Sequence, residues 1–516
     1  MITFAELLKS YISKKHETIN EVAHYTGIDH STLYKIIKGT RKPSSVEMVN
    51  RIAFFLRLSD NERLALQESY YCTILGEPRY FGFKQITELL GNLRSSQTFD
   101  LPIIPSAEHS LGTEQVLSGR SEISSAIAVL CQNASSRGEK TISIFTMGSF
   151  CIYASLLYQL FNLCPDLEFN HVIVMDDSYN LDREYHLYNL ECISSLFPLL
   201  VQYPNYHPQC IYADINTIQS ISPLLSEMVI SERDTCVFRQ DGKSGFIFSD
   251  KRKRDMYYDV FHELELTSVQ FANHLTPEQL LTAYQKGTPL SDKKKSNFVS
   301  DETTYFFNPG ICSVLVLDPN DSLIREHLKI KDPQRTLFIQ VLSNYLPIQR
   351  ARLKNLLPGH PLISTRQGLE YFVNTGYINE VHPAMMYPLN IMERIDILHR
   401  WAKAYEEHSY ILVDLPHLKS DSHSWVMTSR QTIFLQVSTE TGNYLAGQIT
   451  EPNTVSLFNE YFSFLINEYK VEDNEVHELI NESIKKLEEQ MHGAPTNGQV
   501  CGAKRPRCGA SGHPCL

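Results

Sequence analysis

The sequence predicts a multidomain protein: an all-α head of five helices, then a mixed α/β body in which the order of elements indicates two related modules. Three observations support this prediction. Residues 1–72 carry apolar side chains at helical spacing, interrupted by glycines and capping residues. From residue 121 onward, helix-like and strand-like segments alternate. The length of 516 residues exceeds what one hydrophobic core usually supports.

The segment from residue 18 to residue 43 is the most informative part of the head. Thr18 followed by Glu21 is a capping-box pattern, which begins a helix. Gly27 can adopt the left-handed conformation that ends it. A second helix follows, capped by Asp29 or Ser31. Its apolar side is formed by Leu33, Ile36 and Ile37. Helices at 4–12, after Ser45, and from about 61 to 71 complete the predicted head.

This pattern resembles the helix-turn-helix domain of phage Cro/repressor-type regulators, also called the XRE type, over residues 4–71. The resemblance is carried by Ala23, Gly27, Ser31, Thr32, Leu33, Ile36, Gly39 and Pro43. Two positions depart from the family pattern. Ile19 stands where the family often has Gln, and Ile37 where it often has Glu.

The resemblance implies that the second motif helix lies in the major groove of DNA. The residues expected to contact base edges are His30, Ser31, Thr32 and Lys35. Those expected to contact phosphates are Thr18, Tyr34, Lys38, Arg41 and Lys42. The alternative for a helical bundle of this shape is that it binds a protein.

The charge distribution favours DNA contact through one face. Residues 29–42 hold four basic side chains and one acid, while the whole chain has a net charge of −12. Residues 1–70 hold ten basic and eight acidic side chains, which leaves −14 for the remainder. An acidic body behind a slightly basic head argues against general coating of nucleic acid.

Composition also bears on the cell compartment. No run of 18 apolar residues predicts a membrane span, and the first ten residues lack the pattern of a signal peptide. Eight of the eleven cysteines are scattered through apolar segments, which is typical of buried thiols in a reducing compartment. A cytoplasmic protein without membrane contact is therefore expected.

The body begins after a connection, residues 73–120, that is predicted to contain a helix over 81–93 and then a linker. The first module, residues 121–285, is expected to be a sensor. Its predicted elements are strands at 141–146 and 171–175, a hairpin joining 236–238 to 245–248, and a helix at 254–264.

Residues 286–303 are predicted to be a second linker, in which the lysines at 293–295 offer an alternative phosphate contact. The second module covers residues 304–470. Its predicted elements are strands at 313–317 and 409–413, a helix at 391–405, a hairpin joining 432–437 to 443–449, and a helix at 455–465. In both modules a hairpin precedes an aromatic helix, at 236–264 and at 432–465, which suggests a repeat.

Two segments close the chain. A C-terminal helix, residues 471–492, is expected either to pack on the body or to pair with a second copy. Residues 493–516 are predicted to be a disordered tail rich in Cys, Gly and Pro. A zinc site made by Cys501, Cys508, Cys515 and His513 is the alternative for that tail.

Two such modules are similar to the phospholipase-D-like sensor domains of some transcription regulators. The catalytic signature of that fold is His-x-Lys, four further residues and Asp. The nearest match is His417-Leu-Lys419, with Ser424 at the position of the Asp. The resemblance therefore implies an inactive site.

Acidic residues at predicted strand ends are the remaining candidates for chemistry. They are Asp176, Asp177, Asp318 and Asp414. Such acids can hold Mg²⁺, but they more commonly cap the following turn. The sequence contains no phosphate-cradling glycine loop, nucleophile elbow or zinc-protease motif. No catalytic residue, metal or cofactor is predicted, and the protein is expected not to be an enzyme.

These features favour a sequence-specific transcription regulator of bacterial or phage type, in which the head binds operator DNA and the body senses a small molecule or peptide. A homodimer is expected because one head reads a half-site, whereas two heads about a twofold axis read a palindrome. The first alternative is a protein-interaction module without operator DNA. The second is an enzyme with a DNA-targeted head, which would need a metal or nucleotide site.

Overall fold

The computed structural model describes residues 2–93, 114–147, 150–177, 187–215, 227–276, 303–317, 361–379, 381–407, 410–415, 424–439 and 444–493, together with Leu418 and short runs between residues 279 and 350. Within these residues a helical head precedes a body built on two mixed β-sheets. None of the helices described there is long and apolar enough to cross a membrane.

Residues 2–75 form the head and are all described. Its five helices are α1 (Phe4–Lys14), α2 (Ile19–Thr26), α3 (His30–Ile37), α4 (Val46–Phe55) and α5 (Asp60–Leu75). Capping boxes at Thr3, Thr18 and Ser59 begin three of them. Their apolar sides meet in a core whose most deeply buried members include Leu8, Val22, Leu33, Val49, Ile52 and Leu66. The five predicted helices are present, and the last one continues to Leu75.

The first sheet contains the strands predicted at 141–146 and 171–175 and the hairpin predicted between 236 and 248. Its strands are β1 (Glu114–Ser118), β2 (Thr141–Met147), β3 (Glu168–Asp176), β4 (Tyr206–Ala213), β5 (Glu227–Ile230), β6 (Thr235–Phe238), β7 (Ser244–Phe248) and β8 (Val269–Gln270). Their spatial order is β1-β7-β6-β5-β2-β3-β4-β8. Strands β2, β3 and β4 are parallel, and β5, β6 and β7 form an antiparallel meander.

Helices cover both faces of this sheet. The helices α7 (Gly119–Ser136), α8 (Phe150–Leu163) and α9 (Tyr188–Gln202) pack on one face, together with α6 (Glu77–Asn92) from the connection. The helix α10 (Lys251–Thr267) packs on the other face through Phe261. Residues on β3 alternate between the two cores, because successive side chains of a strand point to opposite faces.

The second sheet has a strand order that corresponds to that of the first. Its strands are β9 (Ala272–Leu275), β10 (Thr303–Phe307), β11 (Leu362–Thr365), β12 (Tyr410–Val413), β13 (Ser424–Ser429), β14 (Ile433–Ser438) and β15 (Tyr444–Ile449), in the order β12-β11-β10-β13-β14-β15-β9. Its helices are α11 (Ser313–Val316), α12 (Arg366–Thr375), α13 (Ile391–Glu407), α14 (Pro452–Tyr469) and α15 (Asp473–Gly493). Read along the sheets, β7-β6-β5-β2-β3-β4 corresponds strand for strand to β15-β14-β13-β10-β11-β12.

The likeness of the two modules extends to a hairpin turn. In the β5–β6 turn, the Ser231 backbone N–H donates to the Asp234 carbonyl at 2.9 Å, and the Asp234 N–H donates to the Ser231 hydroxyl at 2.9 Å. In the β13–β14 turn, Ser429 and Thr432 form the same two bonds, at 2.8 and 3.0 Å. The predicted relationship between the modules therefore has support in both topology and turn geometry.

The chain passes from one sheet to the other at Phe271. Its backbone N–H donates to the Pro208 carbonyl on β4 at 3.4 Å, and its own carbonyl accepts from the Gln448 N–H on β15 at 3.2 Å. The second sheet thus begins at β9, inside the stretch that the sequence assigned to the first module. One hydrophobic core includes residues of both sheets, so the modules are packed together.

Two further predictions can be compared with the fold. The expected strand at 313–317 is wrong, because Ser313–Val316 is a short helix; an apolar run of this length does not distinguish strand from helix. The C-terminal helix α15 packs on α13 and buries Val476, Ile480 and Leu487. Thr303, the last residue of the predicted linker at 286–303, begins β10, and Gly493, the first residue of the predicted tail at 493–516, ends α15. The rest of both segments, including the four candidate zinc ligands, lies outside the described residues.

Candidate nucleic-acid interface

Helices α2 and α3 are joined by the three residues 27–29. Gly27 has a φ of 68°, a left-handed conformation that glycine adopts without strain. Asp29 then caps α3, because its side chain accepts the Thr32 backbone N–H at 2.9 Å. That hydrogen bond lowers the pKa of the Asp29 carboxyl group. Leu33 and Ile36 anchor α3 in the head core, which leaves the opposite side of the helix facing solvent.

The residues predicted to read bases lie on that solvent-facing side. His30, Ser31 and Lys35 are exposed, and Thr32 is half-buried. Three of them belong to the first turn of α3, the part of a recognition helix that usually meets base edges. The four residues are therefore close together and accessible.

The turn after α3 carries Arg41 and Lys42, two of the residues predicted to contact phosphates. Gly39 has a φ of 73°, and the backbone N–H groups of Thr40 and Arg41 both donate to the Lys35 carbonyl, at 2.9 and 3.3 Å. The Arg41 guanidinium donates from Nη1 to the Thr32 hydroxyl at 3.2 Å. The turn therefore brings Arg41 beside the predicted base-reading residues.

Tyr34 and Lys38 form a second pair on the same helix. The Lys38 ammonium lies 5.1 Å from the centroid of the Tyr34 ring, which is within the range of a cation–π contact. The Tyr34 ring is also nearly parallel to that of His30, with centroids 6.5 Å apart. The Tyr34 and Lys38 side chains remain exposed.

Thr18 has a different environment from the other predicted phosphate contacts. Its hydroxyl donates to Glu21 Oε2 at 2.7 Å and accepts the Glu21 backbone N–H at 3.3 Å. These bonds lower the pKa of Glu21. The Thr18 side chain is thus engaged in capping α2, and a phosphate contact from its hydroxyl would have to replace a bond to Glu21.

The basic side chains of the head fall into two groups. Among the described residues, the cations along the α3 edge have no acidic partner within 4.0 Å. These cations are Lys35, Lys38, Arg41 and Lys42. Elsewhere in the head, Lys14 contacts Glu62 at 2.6 Å, and Arg63 contacts Asp60 at 3.3 Å. The hydrogen bond from Lys14 lowers the pKa of Glu62 to about 2. Seven cations of the head have no acidic partner among the described residues; four of them lie beside α3, and the other three are Lys9, Arg51 and Arg57.

The head is joined to the body by packed side chains, which the sequence did not reveal. Helix α6 packs against both α9 of the first module and α14 of the second. The rings of Tyr71 and Phe464 meet edge to face with centroids 5.9 Å apart. The Thr87 and Tyr461 hydroxyls lie 3.0 Å apart. Burial raises the pKa of Tyr71.

Gly82 allows this close approach of α6. A Cβ atom at Gly82 would lie 2.7 Å from Leu457 Cδ2 and 3.2 Å from Leu187 Cδ2. Leu457 belongs to the second module and Leu187 to the first. The predicted linker beyond residue 93 lies outside the described residues until residue 114. In the described residues, the head therefore reaches the body through α5 and α6.

The acidic candidates of the body have structural partners. The Asp176 carboxylate accepts the Ile215 backbone N–H at 3.5 Å, and the Asn189 side chain bonds to the backbone N–H and carbonyl of Asp176, each at 2.8 Å. The Asp414 carboxylate accepts from Gln367 Nε2 at 2.6 Å. The part of the chain that the structure describes contains no group of three potential metal ligands. Asp318, His417 and Lys419 lie outside the described residues, while Ser424 is buried at the start of β13.

Comparisons with known proteins do not identify a family. No protein-family model matches the chain, and no curated protein matches it. Similar solved structures include TrmBL2, an archaeal chromatin protein described as showing a novel mode of DNA binding, at 9% identity over 47% of this chain and 84% of that chain, with a TM-score of 0.21.

Two enzymes give comparable values. The polyphosphate kinase from Porphyromonas gingivalis is 9% identical over 76% of this chain and 60% of that one, with a TM-score of 0.20. The phosphatidylserine synthase of Haemophilus influenzae Rd KW20 is 9% identical over 74% of this chain and 93% of that one, also at 0.20. TM-scores this low establish no common fold.

Proposed function

We propose that the head is a helix-turn-helix domain of the Cro/repressor type, and that the protein is a cytoplasmic transcription regulator that binds operator DNA as a homodimer. In this proposal α3 enters the major groove. His30, Ser31, Thr32 and Lys35 contact base edges, while Tyr34, Lys38, Arg41 and Lys42 contact phosphates.

The observation that carries this proposal is the group of four unpaired cations around an exposed helix start. Phosphate neutralisation supplies most of the affinity of a DNA-binding domain, and it requires cations that are not already paired with acids. The head pairs Lys14 and Arg63 with acids but leaves Lys35, Lys38, Arg41 and Lys42 without acidic partners among the described residues. The same edge presents side chains that can bond to bases.

The body is proposed to bind a small-molecule or peptide effector and to influence the head through α6. That helix touches both modules, so a change in their relative position would move it. Because Tyr71 on α5 packs against Phe464 on α14, the movement would reach the head directly. Such a shift in spacing between two heads of a dimer would change operator affinity.

Selection of genomic fragments by the purified full-length protein tests the proposal. The unaltered protein should enrich a shared, roughly palindromic sequence. The variant Lys35→Ala/Arg41→Ala should enrich none. The control Lys14→Ala/Arg63→Ala removes the same charge from the paired cations and should enrich the same sequence as the unaltered protein.

Absence of enrichment by the unaltered protein at low salt, with its circular dichroism intact, would overturn operator binding in the effector-free state. Equal losses in the two double variants would show that net charge, and not the α3 edge, determines binding. A palindrome with one defined half-site spacing would support the dimer.

A second candidate function is protein binding by the head. Tyr25 and Phe54 are 61% and 75% exposed, and large apolar side chains exposed to that degree often mark contact surfaces. Salt dependence distinguishes the two functions. Binding through Lys38, Arg41 and Lys42 to DNA should weaken steeply as salt rises, whereas an apolar protein contact should not.

A further inference from the structure

A cavity of about 760 Å³ opens in the first module, between the end of α7, the β5–β6 turn and the start of α10. We call it the α10 cavity. The side chains of its wall that matter here are Arg137, Arg233, Asp234, Ser249, Lys251 and Arg254. The wall as a whole holds these four cations and two acids, Asp234 and Glu232, in a protein whose net charge is −12.

The floor of the α10 cavity is held by buried ion pairs. Arg137 donates from Nε to Glu139 Oε1 at 2.6 Å and from Nη2 to Asp234 Oδ2 at 2.7 Å. The two carboxylate side chains are only 3% and 5% exposed. The Ser249 hydroxyl donates to the other Asp234 oxygen at 2.6 Å. Both oxygens of Asp234 are thus used, and the Arg137 side chain is fixed.

The other three cations are not neutralised to the same extent. Arg233 and Lys251 are exposed, and neither has an acidic partner within 4.0 Å among the described residues. Arg254 donates from Nη1 to the Glu232 carbonyl at 2.5 Å and also contacts Asp255. Its Nε is buried without a hydrogen-bond partner, which is costly unless a ligand supplies one.

The start of α10 adds to this positive potential. Asp250 caps the helix by accepting the Lys253 backbone N–H at 2.9 Å, and the Lys253 ammonium contacts Glu114 at 2.9 Å. The first four residues of the helix, 251–254, are nevertheless all basic. Backbone N–H groups at a helix start also carry partial positive charge, and the single carboxylate of Asp250 does not balance four basic residues there. Basic residues at this position favour a bound anion, whereas a helix without a ligand is better stabilised by acidic residues in its first turn.

The second module shows that the fold does not require these charges. Its β13–β14 turn has the same hydrogen bonds as the β5–β6 turn, and α14 follows β15 as α10 follows β7. Both helices have an acidic cap, Asp250 in α10 and Glu451 in α14, yet α14 begins with Pro452, Asn453 and Thr454, none of which is basic. The same backbone plan is therefore built without a basic helix start.

We propose that the α10 cavity binds the phosphate group of a small phosphorylated ligand. Arg233, Lys251 and Arg254 would contact the phosphate oxygens, and Arg137 would hold the wall in position. The volume lies in the range of small-molecule pockets, and guanidinium groups match phosphate geometry. This proposal does not depend on DNA binding by the head.

Isothermal titration calorimetry on the full-length protein tests it, with inorganic pyrophosphate and metal-free ATP as probes. One binding event per chain is expected for at least one probe. The variant Arg233→Ala/Lys251→Ala should weaken that binding about tenfold or more, because each lost charge-assisted bond contributes to affinity. Both side chains are exposed, so the variant should keep the circular dichroism and melting temperature of the unaltered protein.

The matched control is Arg430→Ala/Lys485→Ala, which removes one cation from the equivalent turn of the second module and one from α15. It should bind the probes as the unaltered protein does. Absence of heat with both probes, or equal weakening in the control, would overturn the proposal.

Binding of a short DNA duplex is the last measurement. If Arg233→Ala/Lys251→Ala weakens duplex binding while neither probe binds, the cavity contacts nucleic acid and the small-ligand proposal is wrong. The head variant Lys35→Ala/Arg41→Ala should bind the probes normally, so failure of DNA recognition and failure of this site are separable.

Discussion

The Arg41 guanidinium donates a hydrogen bond to the Thr32 hydroxyl, with 3.2 Å between Nη1 and Oγ1. The bond joins the turn after α3 to the first turn of α3, across the edge that we propose faces DNA. Thr32 was predicted to read a base and Arg41 to hold a phosphate. The structure places the two side chains in contact, so the orientation of one constrains the other.

Removing the acceptor of this bond should weaken operator binding. In Thr32→Val the side chain keeps its shape but cannot accept from Arg41, which becomes free to rotate before binding. The hydroxyl is also proposed to contact a base, so we expect a loss of at least about 0.5–1.5 kcal/mol in binding free energy, the usual contribution of one hydrogen bond. Fluorescence anisotropy with an enriched operator measures it.

Thr32→Ser is the matched control, because it keeps the hydroxyl, and it should bind within a few tenths of a kcal/mol of the unaltered protein. Equal affinities for the valine and serine variants would show that the Arg41–Thr32 bond does not organise the interface.

Salt dependence should separate the phosphate contacts from the base contacts. Lys38→Ala and Lys42→Ala should each reduce the slope of log K against log salt by about one, since each removes one phosphate contact. Lys35→Ala should instead relax sequence preference at one base pair, at a cost of about 1–3 kcal/mol for the preferred base. Affinities at four salt concentrations, on operators mutated singly, give both quantities. An unchanged slope in both phosphate variants would contradict their assigned role.

The helices of the head could be predicted because their signals are local. Capping residues lie three positions from the groups they bond, and Gly27 adopts its left-handed conformation for reasons found in the turn itself. The contact of head and body could not be predicted in this way. Thr87 and Tyr461 are 374 residues apart in sequence, and no periodicity in either helix identifies the other as its partner.

The body shows the same division between local and distant information. The hairpins β6–β7 and β14–β15 were predicted, whereas β5 and β13, the strands that pair with them, were not, and neither were β4, β10 and β11. The α10 cavity was also missed, since Arg137, Arg233 and Arg254 come from three separate segments. Its one local signal is the basic run at 251–254, at a helix start where acidic residues are usually preferred.

Gly82 should prove essential to the docking of α6 on the body. A leucine side chain there would overlap Leu457 and Leu187, which overpacks the junction and typically costs about 1–3 kcal/mol. We expect Gly82→Leu to increase hydrogen–deuterium exchange in α6 and α14, while exchange in α1–α4 stays unchanged. The control is Gly91→Ala on the same helix, where a Cβ atom would make an ordinary contact with Leu418 at 3.7 Å. Equal exchange in α6 for both variants would contradict close packing at Gly82.

The unfolding free energy should decrease as the pH falls, and His171 should contribute to that decrease. This residue is fully buried, with its Nε2 2.8 Å from the Thr146 hydroxyl and its Nδ1 2.8 Å from the Tyr206 hydroxyl. Burial lowers the pKa of His171 to about 3, whereas the pKa of histidine in an unfolded chain is about 6.5. The folded chain therefore keeps this imidazole neutral.

The stability that depends on neutral His171 is complete above pH 6.5 and is lost as pH falls toward 3. Over that window the unfolding free energy should decrease by about 1.4 kcal/mol per pH unit from this group. Urea unfolding at pH 7.5, 6.5, 5.5 and 4.5 measures the slope. His171→Gln should be less stable than the unaltered protein at pH 7.5, because two buried bonds are disturbed, but the gap should narrow as pH falls. The variant His24→Gln, at an exposed histidine, should follow the unaltered protein. Parallel curves for His171→Gln and the unaltered protein would mean that burial of this imidazole does not set the acid sensitivity of the first module.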